Sequence, residues 1–116
     1  MPLTISTKTY ANDSNPTPDS SKYIGPAHTA TVKDLVILKR IAPKATKDFA
    51  GVARSSEKTV KSVLIGGITR DLIAETTFSY PVGADATTVT ALRVDHSSML
   101  ASAPTQTLVD NAKINY

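Results

Sequence analysis

From Leu72 to Tyr80 the chain alternates without a break. Leu72, Ala74, Thr76, Phe78 and Tyr80 fall on one side of an extended strand, and Ile73, Glu75, Thr77 and Ser79 on the other. The strand is expected over Arg70 to Val82. After Pro81-Val-Gly83 the period lengthens: Val89, Leu92, Met99 and Leu100 share one face of a helix. Asp85 stands where an N-cap or first-turn acid supports that helix. Pro104 suits the first turn of a second, shorter helix ending at Tyr116. A strand therefore leads into two terminal helices, with no strand after them.

Upstream the pattern predicts further strands. Leu3 to Tyr10 alternates and is rich in β-formers. Residues 12–21, with two prolines among polar residues, read as a loop, and Lys22 to Gly25 as a short strand. Thr29 to Ile41 reads as a long strand, with Val32, Val36 and Leu38 on one face and Lys33, Leu35, Ile37 and Lys39 on the other. Apolar residues on both faces imply that both are partly covered. Pro43 ends this strand and a basic loop, Lys44 to Ala50, follows. Gly51 to Ile65 is the next strand. Arg54, Ser56, Lys58, Val60 and Ser62 share one of its faces; Ala53, Ser55, Glu57, Thr59, Lys61 and Val63 share the other. Gly66-Gly67 is a strong hairpin signal. The expected class is α+β: an antiparallel β-sheet meander with an N-terminal hairpin, followed by two C-terminal α-helices. A length of 116 residues suits a single domain, with sheet over 1–82 and helices over 84–116.

Composition sharpens this picture. Aromatics are 5% of the chain, Trp is absent, and many strand positions hold Thr, Ser or Ala. Such a core is thin for a stable monomer, so an oligomer that adds apolar burial is expected. With no cysteine, disulfides, thiolate nucleophiles and Cys-based zinc sites are excluded. No apolar run approaches the roughly 20 residues of a membrane span. Met1-Pro-Leu-Thr-Ile lacks the basic-then-apolar pattern of a secretory signal. The sequon Asn12-Asp-Ser14 then reads as chance.

Net charge is +3, unevenly spread. Between Lys33 and Lys61 eight cationic residues stand against Asp34, Asp48 and Glu57. That concentration points to a polyanion partner, against the plainer reading of a solvated sheet face. Catalytic signals are missing. His28 and His96 are isolated and form no triad spacing. Asp13, Asp19, Asp34 and Asp48 lack metal-ligand spacing, and there is no glycine-rich phosphate loop. No catalytic residue, metal, cofactor or small-molecule substrate is expected, and no membrane partner.

The C-terminal third carries a resemblance. Thr77-Phe78-Ser79-Tyr80, Leu92-Arg93, Met99-Leu100-Ala101-Ser102, Val109-Asp110 and Tyr116 occur in an order and spacing that needs almost no gaps from Thr76 onward. Ala42-Pro43 and Gly51-Val52-Ala53 add to it upstream. In these features the chain resembles the coat proteins of single-stranded RNA bacteriophages. The resemblance implies an intertwined homodimer, paired sheet edge to sheet edge, with the helices of each subunit lying across the other's sheet. It places Val89, Leu92, Met99, Leu100 and Tyr116 at the dimer interface. It implies dimers tiling an icosahedral capsid assembled in the bacterial host cytoplasm, with the open sheet face turned to the RNA genome. On that face it places Lys33, Lys39, Arg54, Ser56, Lys58, Glu75, Thr77 and Ser79. In relatives the same surface represses translation by binding an RNA hairpin.

Two positions depart from that pattern. Ile73 stands where close relatives carry a tyrosine that stacks on a loop base, which removes about 1–3 kcal/mol of stacking. Gly66-Gly67 replaces a longer loop that bears cysteine in the relative it resembles most. The alternative reading is a small dimeric cellular module that binds RNA or single-stranded DNA and does not assemble. A small hydrolase has no support.

Overall fold

The computed structural model describes residues 3–114. Six strands precede two helices: β1 Leu3–Ile5, β2 Lys8–Thr17, β3 Ser20–Ile24, β4 Asp34–Ile41, β5 Val52–Ile65, β6 Ile68–Pro81, α1 Ala86–Leu100 and α2 Ala103–Asn111. The strands form one antiparallel sheet in chain order. The chain divides into two compact units, the strands up to Val82 and the helices from Gly83. The expected α+β meander, N-terminal hairpin and terminal helices are all present.

Three expectations need correction. The strand expected over Leu3 to Tyr10 breaks at Ser6 and Thr7, whose φ angles are 49° and 66°. No Gly or Asn marks this tight turn, so the β-rich pattern hid it. Most of the expected loop over 12–21 is strand β2, which bulges between Asn12 and Ser14 and again between Ser14 and Thr17. Pro16 is tolerated because β1 pairs only with Lys8–Tyr10, leaving that stretch of β2 with one hydrogen-bonded neighbour. The strand expected from Thr29 begins only at Asp34, as β4. The Thr29 hydroxyl accepts hydrogen bonds from the Thr31 and Val32 amides (3.4 and 3.0 Å), and the Thr29 amide donates to the Val32 carbonyl (2.9 Å). A threonine that bonds its own backbone in this way competes with a sheet ladder. Val32 therefore precedes the strand rather than lining it.

One further boundary differs: the second helix, expected to end at Tyr116, ends at Asn111, where Ala112 turns left-handed at φ 53° and stops it. The others agree closely. Gly66 and Gly67, at φ 57° and 83°, make the two-residue turn between β5 and β6. Asp85 caps α1, its carboxylate accepting from the Thr88 amide at 3.2 Å. Pro104 lies in the first turn of α2.

The core is small. Tyr10, Tyr23 and Val36 form its buried cluster, with Leu3 and Leu38 partly buried against it. Leu35 and Val60 are buried on the opposite side of the sheet, so β4 is covered on both faces over its first residues. One charged residue is buried among these. Asp34, 4% exposed, accepts from the Tyr10 hydroxyl (3.1 Å) and from the Ala27 amide (3.2 Å). His28 Nδ1 accepts from the Asp34 amide at 3.3 Å. A Cβ at Gly25 would fall on the Asp34 carboxylate and the Tyr10 ring, so only glycine admits this clamp.

Burial, and then the Asp34 carboxylate beside it, push the Tyr10 hydroxyl's pKa up from its ordinary value. A raised folded-state pKa gives stability that is complete below the unfolded value of about 10 and is lost as pH rises through the folded value. We expect an alkaline fall in melting temperature above about pH 10, and a weaker one in Tyr10→Phe. Identical alkaline profiles for the two proteins would contradict this.

Candidate nucleic-acid interface

Antiparallel pairing sets which side chains share a face, because directly opposed residues point the same way. Across β3 to β6 one row reads Ser20, Lys39, Ser56 and Thr77. The next rows on that face are Lys22, Ile37, Lys58 and Glu75 on one side, and Ile41, Arg54 and Ser79 on the other. Lys39 thus faces Ser56, while Arg54 and Lys58 lie two residues either way along β5. Diagonal neighbours in a sheet are about 7–8 Å apart. Three cations therefore surround a row of hydroxyls. Lys39 and Arg54 are exposed and Lys58 half-buried.

All eight residues expected at an RNA face lie on this one side. Two of them sit differently from the rest. Lys33 pairs with Ser62 through backbone and hydroxyl contacts of 2.9 Å, just before β4 begins. Its ammonium is engaged by Asp71 at 2.9 Å. Such an exposed pair contributes under about 1 kcal/mol to stability, but it offsets the charge Lys33 would offer an anion. Glu75 lies directly opposite Lys58 and puts a negative charge at the edge of the patch. Lys22 was missed. Alternation counted back from Tyr23 would have found it, but which face Tyr23 shares with Val36 is a matter of register.

Ile73 lies on the same face, in the row Ile24, Leu35, Val60 and Ile73, and is 58% exposed. Phe78 and Tyr80 point the other way by alternation, as do Tyr23 and Val36. That other face carries an open groove of about 380 Å³, with Leu38, Phe78, Arg40, Ser55 and Glu57 along it and the 18–21 turn at its rim. Arg40 and Asp19 form an exposed ion pair there at 2.8 Å.

The helical unit buries none of its described residues. Leu92, Met99 and Leu100 are 48%, 54% and 53% exposed, and Val89 is half-buried. The expected stripe exists, but the apolar surface is wider than the stripe. Val94 lies on the far side of α1, and Leu108 and Val109 of α2 are also exposed. Tyr116 falls outside the described residues.

Among the described residues no group of three or more metal-ligating side chains comes together. No helix among them is long and apolar enough to cross a membrane.

No protein-family model and no curated protein sequence matches the chain. Solved structures do match in fold. The virus-like particle of Beihai levi-like virus 32 is similar with a TM-score of 0.82 at 17% identity, over 96% of this chain and 91% of that one. The virus-like particle of bacteriophage AVE019 gives 0.80 at 18% identity, over 100% and 96%. That of bacteriophage ESE020 gives 0.74 at 19%, over 97% and 96%.

Proposed function

We propose that this chain, which has the fold of the coat proteins in levi-like virus particles, is itself the capsid subunit of an RNA phage, a structural protein and not an enzyme. The observation that carries the RNA part of this reading is the register that gathers Lys39, Arg54 and Lys58 around Ser56, Thr77 and Ser79 on one open sheet face. Lysine and arginine there neutralise phosphates and release counterions, and the hydroxyls between them bond sugars and bases. Assembly needs no bond-making step; it couples burial of protein surface to neutralisation of the genome.

The dimer is the unit of this scheme. The exposed apolar residues of α1 and α2 want cover, and the Leu38–Phe78 groove offers an apolar floor. A second copy's helices lying on that face would meet both needs. β6, 14 residues long at the edge of the sheet, would pair with its equivalent and leave no edge open to uncontrolled pairing. A hairpin ligand, and with it translational repression, would have to be held without a ring at Ile73.

Expression of the chain alone in bacteria tests the reading. Shells of uniform size by electron microscopy, carrying nuclease-protected host RNA, are expected. A soluble dimer that binds RNA and never assembles would instead favour a small nucleic-acid-binding module. The double variant Arg54→Ala with Lys58→Ala should lose about tenfold or more in RNA affinity, with a salt slope shallower by about 1.4. Unchanged affinity and slope would reject this face. Particle melting should not respond to a thiol reductant, since no cysteine can bridge subunits around the Gly66-Gly67 turn.

A further inference from the structure

The cationic sheet face carries no aromatic ring among the described residues, yet one ring stands exposed next to it in the chain. Phe49, 49% exposed, belongs to the loop between β4 and β5. The same loop holds Lys44 and Lys47, both exposed, with Asp48 as its one acid. It is not a slack connection. Thr46 and Phe49 form an isolated bridge, the Phe49 carbonyl accepting from the Thr46 amide at 2.7 Å and from the Thr46 hydroxyl at 3.4 Å. Gly51, at φ 102°, closes it, and a Cβ there would lie 2.8 Å from the Lys44 carbonyl oxygen. The loop leaves β4 at Ile41 and enters β5 at Val52, and Ile41 is the cross-strand partner of Arg54. Held backbone, a half-exposed ring and two exposed lysines in the same loop are the elements of a single-strand stacking platform: cations take the phosphates and the ring takes a base. The ring is half exposed within its own chain and so open to a ligand.

We infer that Phe49 is a base-stacking residue for single-stranded RNA, with Lys44 and Lys47 holding the phosphates on either side of the stacked nucleotide. This rests on the RNA-binding reading above. Every base has a π-face, so the contact is indifferent to sequence. Stacking releases no counterions, whereas lysine–phosphate contacts do. The two kinds of residue therefore leave different signatures.

The test measures binding of unstructured oligoribonucleotides of several sequences to the dimer across a salt series. Phe49→Ala should weaken every sequence by about fivefold to a hundredfold with the salt slope unchanged. Phe49→Trp should restore binding. Lys44→Ala with Lys47→Ala should make the slope shallower by about 1.4. The melting temperature of Phe49→Ala should match the parent. Unchanged affinity in Phe49→Ala, while Arg54→Ala with Lys58→Ala still loses binding, overturns the inference and leaves the RNA reading intact. Normal RNA affinity with failed assembly also overturns it, making Phe49 a contact between subunits. A parent dimer that binds no RNA removes both.

Discussion

Aspartate at both Leu92 and Met99 should abolish particles and leave no stable dimer. Each residue is about half exposed within its own chain, and each lies on the α1 stripe proposed to sit against a second copy. Fully burying a leucine or methionine stabilises by about 1.5–3 kcal/mol, so half of that is lost at each site. Placing a carboxylate in an apolar contact costs several kcal/mol more unless it is paired. Both terms count twice in a symmetric dimer. Ser98→Asp, on the opposite side of α1, serves as the control and should assemble normally. Sedimentation and electron microscopy decide the matter. Intact particles from the double variant would show that this stripe faces solvent.

The second large effect concerns the clamp beneath the N-terminal hairpin. Asp34→Ala should cost about 3 kcal/mol, because it leaves the buried Tyr10 hydroxyl without an acceptor and removes the part-buried bond from the Ala27 amide. Tyr10→Phe should cost less, about 1 kcal/mol, since Asp34 keeps its amide partner. Denaturant unfolding at one fixed protein concentration compares them, as a dimer's apparent stability depends on concentration. Equal, small losses would mean that the clamp is wetter than its burial implies. Tyr10 belongs to β2 and Asp34 opens β4, so this bond ties the hairpin to the strands bearing the cationic face.

How much of this was legible beforehand varies with the element. The strands ending at Ile65 and Pro81 were readable because long alternation and a Gly-Gly turn agree with each other. The face holding Arg54, Ser56 and Lys58 was readable for the same reason: a period of two assigns sides without further information. The N-terminal region was not. Its turn uses Ser6 and Thr7 at positive φ, residues that composition does not mark as turn formers there, and β2 carries Pro16 and two bulges that obscure its period. Lys22 escaped because a short strand has too few residues to declare its register. Phe49 escaped because a loop has no period at all. Its exposure and the bridge to Thr46 exist only once the chain is folded.

Local chemistry, written in the residues themselves, determined the last strands and the two helices after them, the Asp85 cap and the Gly66-Gly67 turn, and the excess of positive charge in the middle of the chain. These depend on neighbours within a few positions, which the chain always has. Tertiary structure alone decided that Lys39 meets Ser56, that Lys33 is offset by Asp71, and that Asp34 is buried beneath Tyr10. Those pairings join residues 17 to 38 positions apart. Many registers satisfy the same alternation, and packing of the whole sheet selects one.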